Sequence, residues 1–152
     1  MSVMTEFFSQ GAAIAADGIH SASQSAAEKL TGAVDLSKFR QVLFIIDAGT
    51  LGTSGTLDFA VQGSDAVGGT YTAIPNAAIT QLVKATDDNK YAIVSVKAES
   101  VSALGLNYAF IKGALLPGTA AANSAVIVLG EATRFEPASG IDATAVKQIV
   151  NY

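Results

Sequence analysis

The chain has 152 residues, enough for one domain with short extensions and for burying about two-thirds of the unfolded surface. Half of it is hydrophobic and only 14% is charged, well under the roughly 25% of an ordinary soluble domain, and the net charge is −4. Nine dispersed Lys and Arg give no electrostatic footprint for nucleic acid, the lack of Cys removes disulfides and thiolate metal sites, and no run of about 20 apolar residues suits a membrane span.

Residues 1–38 are rich in Ala, Ser and Gly, with Phe7 and Phe8 as their only aromatics. They lack the basic start and long apolar stretch of a signal peptide, so a soluble protein made in the cytoplasm is expected. Residues 12–20 read as a short strand or an extended arm. Residues 24–30 are ambiguous: Ala26, Ala27, Glu28 and Lys29 favour helix, while the Ser and Gly around them do not. A strand ending near Val34 fits as well.

Beyond Phe39 the pattern sharpens. Residues 39–47 form an apolar, β-branched and aromatic run. Residues 56–63 alternate, with Leu57, Phe59 and Val61 on one face and Asp58, Ala60 and Gln62 on the other, which marks a strand with one buried side. The Gly/Thr/Ser loop between them predicts a hairpin over 39–65, with Phe44, Leu57, Phe59 and Val61 in the core. Residues 64–69 read as a turn and 70–74 as a short strand ending before Pro75. Residues 79–84 suit a strand or one helical turn, and Asp87, Asp88 and Asn89 a turn. Residues 91–99 alternate, with Tyr91, Ile93, Ser95 and Lys97 on one side. Residues 107–116 and 124–130 are two further strands, separated by a loop that starts with Pro117 and Gly118. Near the end, Asp142 is placed to cap a short helix carrying Val146, Ile149 and Val150. Seven or eight short strands at about ten-residue spacing, with no long amphipathic helix between them, point to an antiparallel β-sandwich or jelly roll.

Candidate chemistry is sparse. His20 is the single histidine, and no Gly-x-Ser-x-Gly elbow accompanies it, so a surface or interface role is expected rather than catalysis. Asp87, Asp88, Asn89 and Asp65 offer oxygen ligands, but the alternate acids and closing Glu of a calcium loop are missing. Gly49, Gly52 and Gly55 have neither the Lys-Ser/Thr nor the following helix of a phosphate loop. No cofactor, no metal and no catalytic residue is therefore expected.

The stretch Val34-Asp35-Leu36-Ser37-Lys38-Phe39-Arg40-Gln41-Val42-Leu43-Phe44 resembles a recurring pattern in the head decoration, or cement, proteins of tailed bacteriophages. So do Gly49, the run Thr56-Leu57-Asp58-Phe59-Ala60-Val61-Gln62-Gly63-Ser64-Asp65, and Gly69-Thr70-Tyr71. Leu106-Asn107-Tyr108-Ala109-Phe110-Ile111-Lys112 and Ser124-Ala125-Val126-Ile127-Val128-Leu129-Gly130 continue the likeness, which spans roughly residues 34–137. The Ala-rich segment 77–86 departs from it.

The resemblance implies an all-β fold: a jelly-roll-type antiparallel β-sandwich with extended N- and C-terminal arms. Residues 1–33 would form an arm and the first strands, 34–137 the core, and 138–152 a second arm. It further implies a virion protein on the capsid exterior, bound to the major capsid protein and to itself as a dimer or trimer, without nucleic acid or membrane. Apolar residues in the two ends make Phe7, Phe8, Ile14, Phe135, Ile149, Val150 and Tyr152 the expected contact residues. The alternatives are a tail or baseplate component and a carbohydrate-binding sandwich using Tyr71, Tyr91 and Tyr108.

Overall fold

Alternation of apolar and polar residues at a two-residue period governs the fold, as seen in a computed structural model that describes residues 12–133. The strands are β1 (Ala12–Ile14), β2 (Ile19–Gln24), β3 (Lys29–Leu30), β4 (Val34–Asp35), β5 (Phe39–Leu51) and β6 (Thr56–Ser64). They continue with β7 (Thr72–Ala78), β8 (Leu82–Val83), β9 (Lys90–Lys97), β10 (Phe110–Gly118) and β11 (Ala122–Thr133). Two short helices, α1 (Lys84–Asp87) and α2 (Ala98–Ala103), flank β9.

These strands make two antiparallel sheets packed as a sandwich. The first runs β1–β11–β5–β9, with β2 prolonging the β1 edge along β11. The second runs β3–β10–β6–β7, with β4 also on β10 and β8 also on β6. Taken as interrupted single strands, β1/β2, β3/β4 and β7/β8 reduce each sheet to four. The early strands then pair with the late ones in reverse order: β1/β2 with β11, β3/β4 with β10, β5 with β9, and β6 with β7/β8. That is the pairing of one long hairpin. The further pairings β5–β11 and β6–β10 roll it into two layers.

This corrects the hairpin expected over 39–65. Strands β5 and β6 follow one another in sequence but lie in opposite sheets and share no ladder. Their alternating apolar sides face each other across the interior, where the Phe44 and Phe59 rings meet at 5.5 Å, tilted by 50°. Residues 52–55 arch between the layers: the Gly55 N–H donates to the Gly52 carbonyl at 2.7 Å, and the Gly52 N–H donates across to Ala121 at 2.9 Å. Side-by-side pairing would have put both apolar sides on one face of a single sheet, which a second layer would still have to cover.

The core is one cluster drawn from both inner faces. Phe39, Phe44, Phe59, Ile46, Leu51, Leu57, Ile111 and Leu115 are its largest fully buried members. Gly113 makes the aromatic contact possible, since a Cβ there would lie 2.6 Å from Phe59 Cζ and 3.1 Å from Phe44 Cδ1. Among the described residues, no buried side-chain polar atom lacks a hydrogen-bond partner.

Local departures from expectation fall where tertiary pairing overrides short-range signals. Residues 25–28 form no helix, and Lys29–Leu30 pairs with β10 instead. Strand β7 runs through Pro75, which an edge strand tolerates because one side of its backbone needs no ladder partner. Strand β10 likewise runs through Pro117 to Gly118, so the loop shrinks to 119–121. The segment 77–86 holds the end of β7, all of β8 and the start of α1. The two sides of the sandwich differ. On one, the Gly32 N–H donates to the Asp17 carbonyl at 2.8 Å and ties the sheet edges together. On the other, between β7 and β9, a groove remains beside α2.

Candidate functional site

Strand register places an apolar surface on the outer face of the first sheet. Ile127 of β11 stands opposite Ile45 of β5, which stands opposite Ile93 of β9, so three isoleucines form one row across the sheet. The next row holds Leu129 opposite Leu43, with Ile14 of β1 opposite Leu129. On the other side, Ala125 faces Asp47, and Asp47 faces Tyr91. Tyr91 is 70% exposed, Ile93 62% and Ile127 50%. Charge sits at the margins, at Asp47, Lys97 and Glu131, and at Asp17 by the β1/β2 edge. At the β1/β2 edge the surface dips into a hollow of about 290 Å³ beside Ile14, Ile19 and Ile127.

The outer face of the second sheet is chemically different. It carries Lys112 opposite Gln62 and Leu116 opposite Asp58, with Asp58 accepting a hydrogen bond from Gln81 at 2.8 Å. The Lys112 ammonium sits 4.3 Å from the centre of the Tyr71 ring. Polar pairs of this kind suit a solvated sheet, whereas a row of bare isoleucines loses hydration free energy until something covers it.

The expected contact residues divide accordingly. Ile14 lies on the apolar face. Phe7, Phe8, Phe135, Ile149, Val150 and Tyr152 lie outside the described residues. The residues that the sequence reading did not single out as contacts are Leu43, Ile45, Ile93, Ile127 and Leu129. Their one signal was the run of residues 42–46, apolar on both sides of a strand rather than one.

The other candidates occupy structural positions. His20 is exposed beside the hollow, with Nε2 3.4 Å from Asp17 Oδ1, and among the described residues no serine hydroxyl bonds to it. Gly49 belongs to β5, while Gly52 and Gly55 make the inter-sheet arch that leads into a strand, not a helix. The three tyrosines do not converge. Tyr91 lies on the first sheet's outer face, Tyr71 lies over Lys112 on the second sheet, and Tyr108 packs over Gly63 against the core. Among the described residues, no three His, Asp or Glu side chains come together to hold a metal ion.

Asp87 and Asp88 act as fasteners. Asp88 accepts the Leu51 N–H at 2.9 Å through Oδ1 and the Lys84 ammonium at 2.9 Å through Oδ2. Lys84 also donates to the Leu51 carbonyl at 2.7 Å, so α1 is clamped to the end of β5. Asp87 accepts the Val83 N–H at 2.9 Å. The bond from Lys84, then that from Leu51, holds the Asp88 carboxyl below its ordinary range, and the Val83 bond does the same for Asp87. A lowered folded-state value means stability present above the unfolded carboxyl pKa, about 4, and lost as pH falls through the folded value. Thermal melts should therefore fall as the pH drops below about 4, and Asp87→Asn/Asp88→Asn should flatten that decline while lowering the melting point at pH 7.

Helices among the described residues are too short and polar to cross a membrane. In comparison with known proteins, the chain matches no family model and no curated protein sequence.

Proposed function

We propose that this chain is a structural virion protein that binds the outside of an icosahedral phage capsid and braces the shell by bridging neighbouring major capsid subunits. The observation that carries the reading is the uncharged row Ile127–Ile45–Ile93, flanked by Leu43, Leu129 and Ile14, on one face of a sandwich whose other face sets its exposed leucines, Leu30 and Leu116, among Lys112, Gln62 and Asp58. An exposed apolar patch with a polar margin is the signature of a protein-binding surface. Bracing a shell needs a rigid body and a contact face, and no bond-making chemistry.

Two further features support the reading. Residues 34–137 resemble cement proteins, and the reverse-order pairing of early with late strands favours the jelly-roll form of sandwich, an architecture used by viral shell proteins. On a closed lattice, many identical modest contacts add up, so a single face suffices if the chain also meets copies of itself as a dimer or trimer. Among the described residues, Tyr71, Tyr91 and Tyr108 are dispersed and form no shared sugar-binding platform.

The test is sedimentation of the purified protein with capsid shells stripped of decoration. We expect saturable co-sedimentation at a fixed ratio to the major capsid protein, and greater resistance of the shells to heat. Binding to isolated tails with none to shells would move the protein to the tail, and binding to neither would remove the proposal.

A further inference from the structure

The edges of the two sheets are not equally protected. The β1/β2 edge is broken at residues 15–18, and its register with β11 shifts between Ser124 and Val126. In the second sheet the β3/β4 edge consists of two-residue pieces. The β7 edge holds Pro75, Asn76 at a φ of 62°, and a register shift against β6. Breaks, bulges and Pro are the devices by which folded proteins keep an edge from pairing further. Strand β9 has none of them. Its eight residues keep an unbroken register with β5 and include neither Pro nor Gly. Among the described residues no strand pairs with its other side. Its lysines, Lys90 and Lys97, stand at the two ends rather than along it.

We propose that β9 pairs antiparallel with β9 of a second copy, joining the two first sheets into one about a two-fold axis at Val94. In such pairing main-chain hydrogen bonds supply affinity and side-chain fit sets the register. Residues standing opposite each other point to the same side of a sheet, so the axis must pass through a residue that pairs with itself. Axes at Ile93 and at Val94 pair residues 90–96 and 91–97, in each case all but one of the strand. Charge decides between them. The Ile93 axis sets Lys90 against the buried Val96 and carries Glu99 toward Asp87, acid against acid. The Val94 axis puts Lys97 of each copy opposite Tyr91 of the other, ammonium beside ring, and carries Glu99 toward Lys90. It also sets Val94 against Val94 and Ala92 against Val96, apolar on apolar, over the mouth of the groove of about 430 Å³ between β7 and β9. The outer faces of the two copies then run together, with both isoleucine rows on one side.

The pairing gives the self-contact in the proposed function a place, and it forms in solution without a shell.

Sedimentation velocity of the full chain tests it. The unaltered chain should sediment as a dimer at tens of micromolar. Tyr91→Lys, which sets like charges opposite each other twice, should raise the dimer dissociation constant roughly tenfold or more. Tyr91→Lys/Lys97→Glu should restore it, because opposite charges then meet. The chain has no cysteine of its own, so Val94→Cys should give a disulfide-linked dimer on oxidation, while Ile93→Cys, only diagonal to its copy, should not. A monomer or a trimer of the unaltered chain would overturn the proposal. So would undiminished dimers of Tyr91→Lys, a double variant no tighter than Tyr91→Lys, or linkage through Ile93→Cys in preference to Val94→Cys. Because no shell is present, any of these failures leaves shell binding by the outer face to its own assay.

Discussion

Ile93→Glu/Ile127→Glu should abolish binding to capsid shells while leaving the sandwich folded. Both side chains are more than half or half exposed in the isolated chain, so a carboxylate at either position stays hydrated there and costs little stability. Against a shell, the same carboxylate would be buried without a partner. Breaking a buried arrangement in this way typically costs about 3–5 kcal/mol, a factor of about 10²–10⁴ in affinity for each site. The two residues flank Ile45 in one row, so the double variant removes the centre of the face rather than its margin. Leu116→Glu is the matched control. Leu116 is a similarly exposed leucine on the outer face of the opposite sheet, and its variant should bind shells as the unaltered chain does. Sedimentation with stripped shells, paired with thermal melts of each variant, separates lost binding from lost folding.

Phe44→Ala should give the largest loss of stability of any single truncation considered. Phe44 is fully buried at the meeting point of the two layers, against Phe59. Truncating a core phenylalanine costs about 3–5 kcal/mol through lost burial and the cavity left behind, a large share of the roughly 5–15 kcal/mol that holds a domain together. For a domain of this size that corresponds to a fall in melting temperature of roughly 6–20 °C. Neighbouring side chains are poorly placed to relax into the space, because Gly113 beneath the two rings has none to move. Equilibrium unfolding in urea measures the change. A loss under about 1 kcal/mol would mean that the two sheets do not meet at this contact.

The same two residues show how far the sequence could be read. Alternation placed Phe44, Leu57, Phe59 and Val61 in the core, and all four are buried. Alternation says which side of a strand is covered and nothing about which strand lies beside it. A short Gly/Thr/Ser loop serves an arch between layers as well as a hairpin, so β5 and β6 read as partners. The partners of β5 are β11 and β9, roughly eighty and fifty residues away, and nothing local marks such distant pairings. Helix α2 escaped for a related reason, since six residues are too few to display a helical period.

The apolar outer face was half legible. Residues 42–46 are apolar on both sides of the strand, which in a two-layer fold leaves one apolar side facing outward. The two-residue period puts Ile93 with Tyr91, Ser95 and Lys97 on one side of its strand, and that is the outward side. Only the register joins Ile45 and Ile93 to Ile127 and turns three scattered isoleucines into one surface. Contact residues sought at the chain ends rested on composition alone; Ile14 falls on this face, and the others lie outside the described residues.

The most direct measurement is a cryo-electron-microscopy map of stripped shells saturated with the purified chain. Density for the sandwich should appear at regular positions on the shell exterior, with Ile45, Ile93 and Ile127 turned toward a major capsid subunit. A sandwich bound with that row open to solvent, or shells without added density, would contradict the proposed contact.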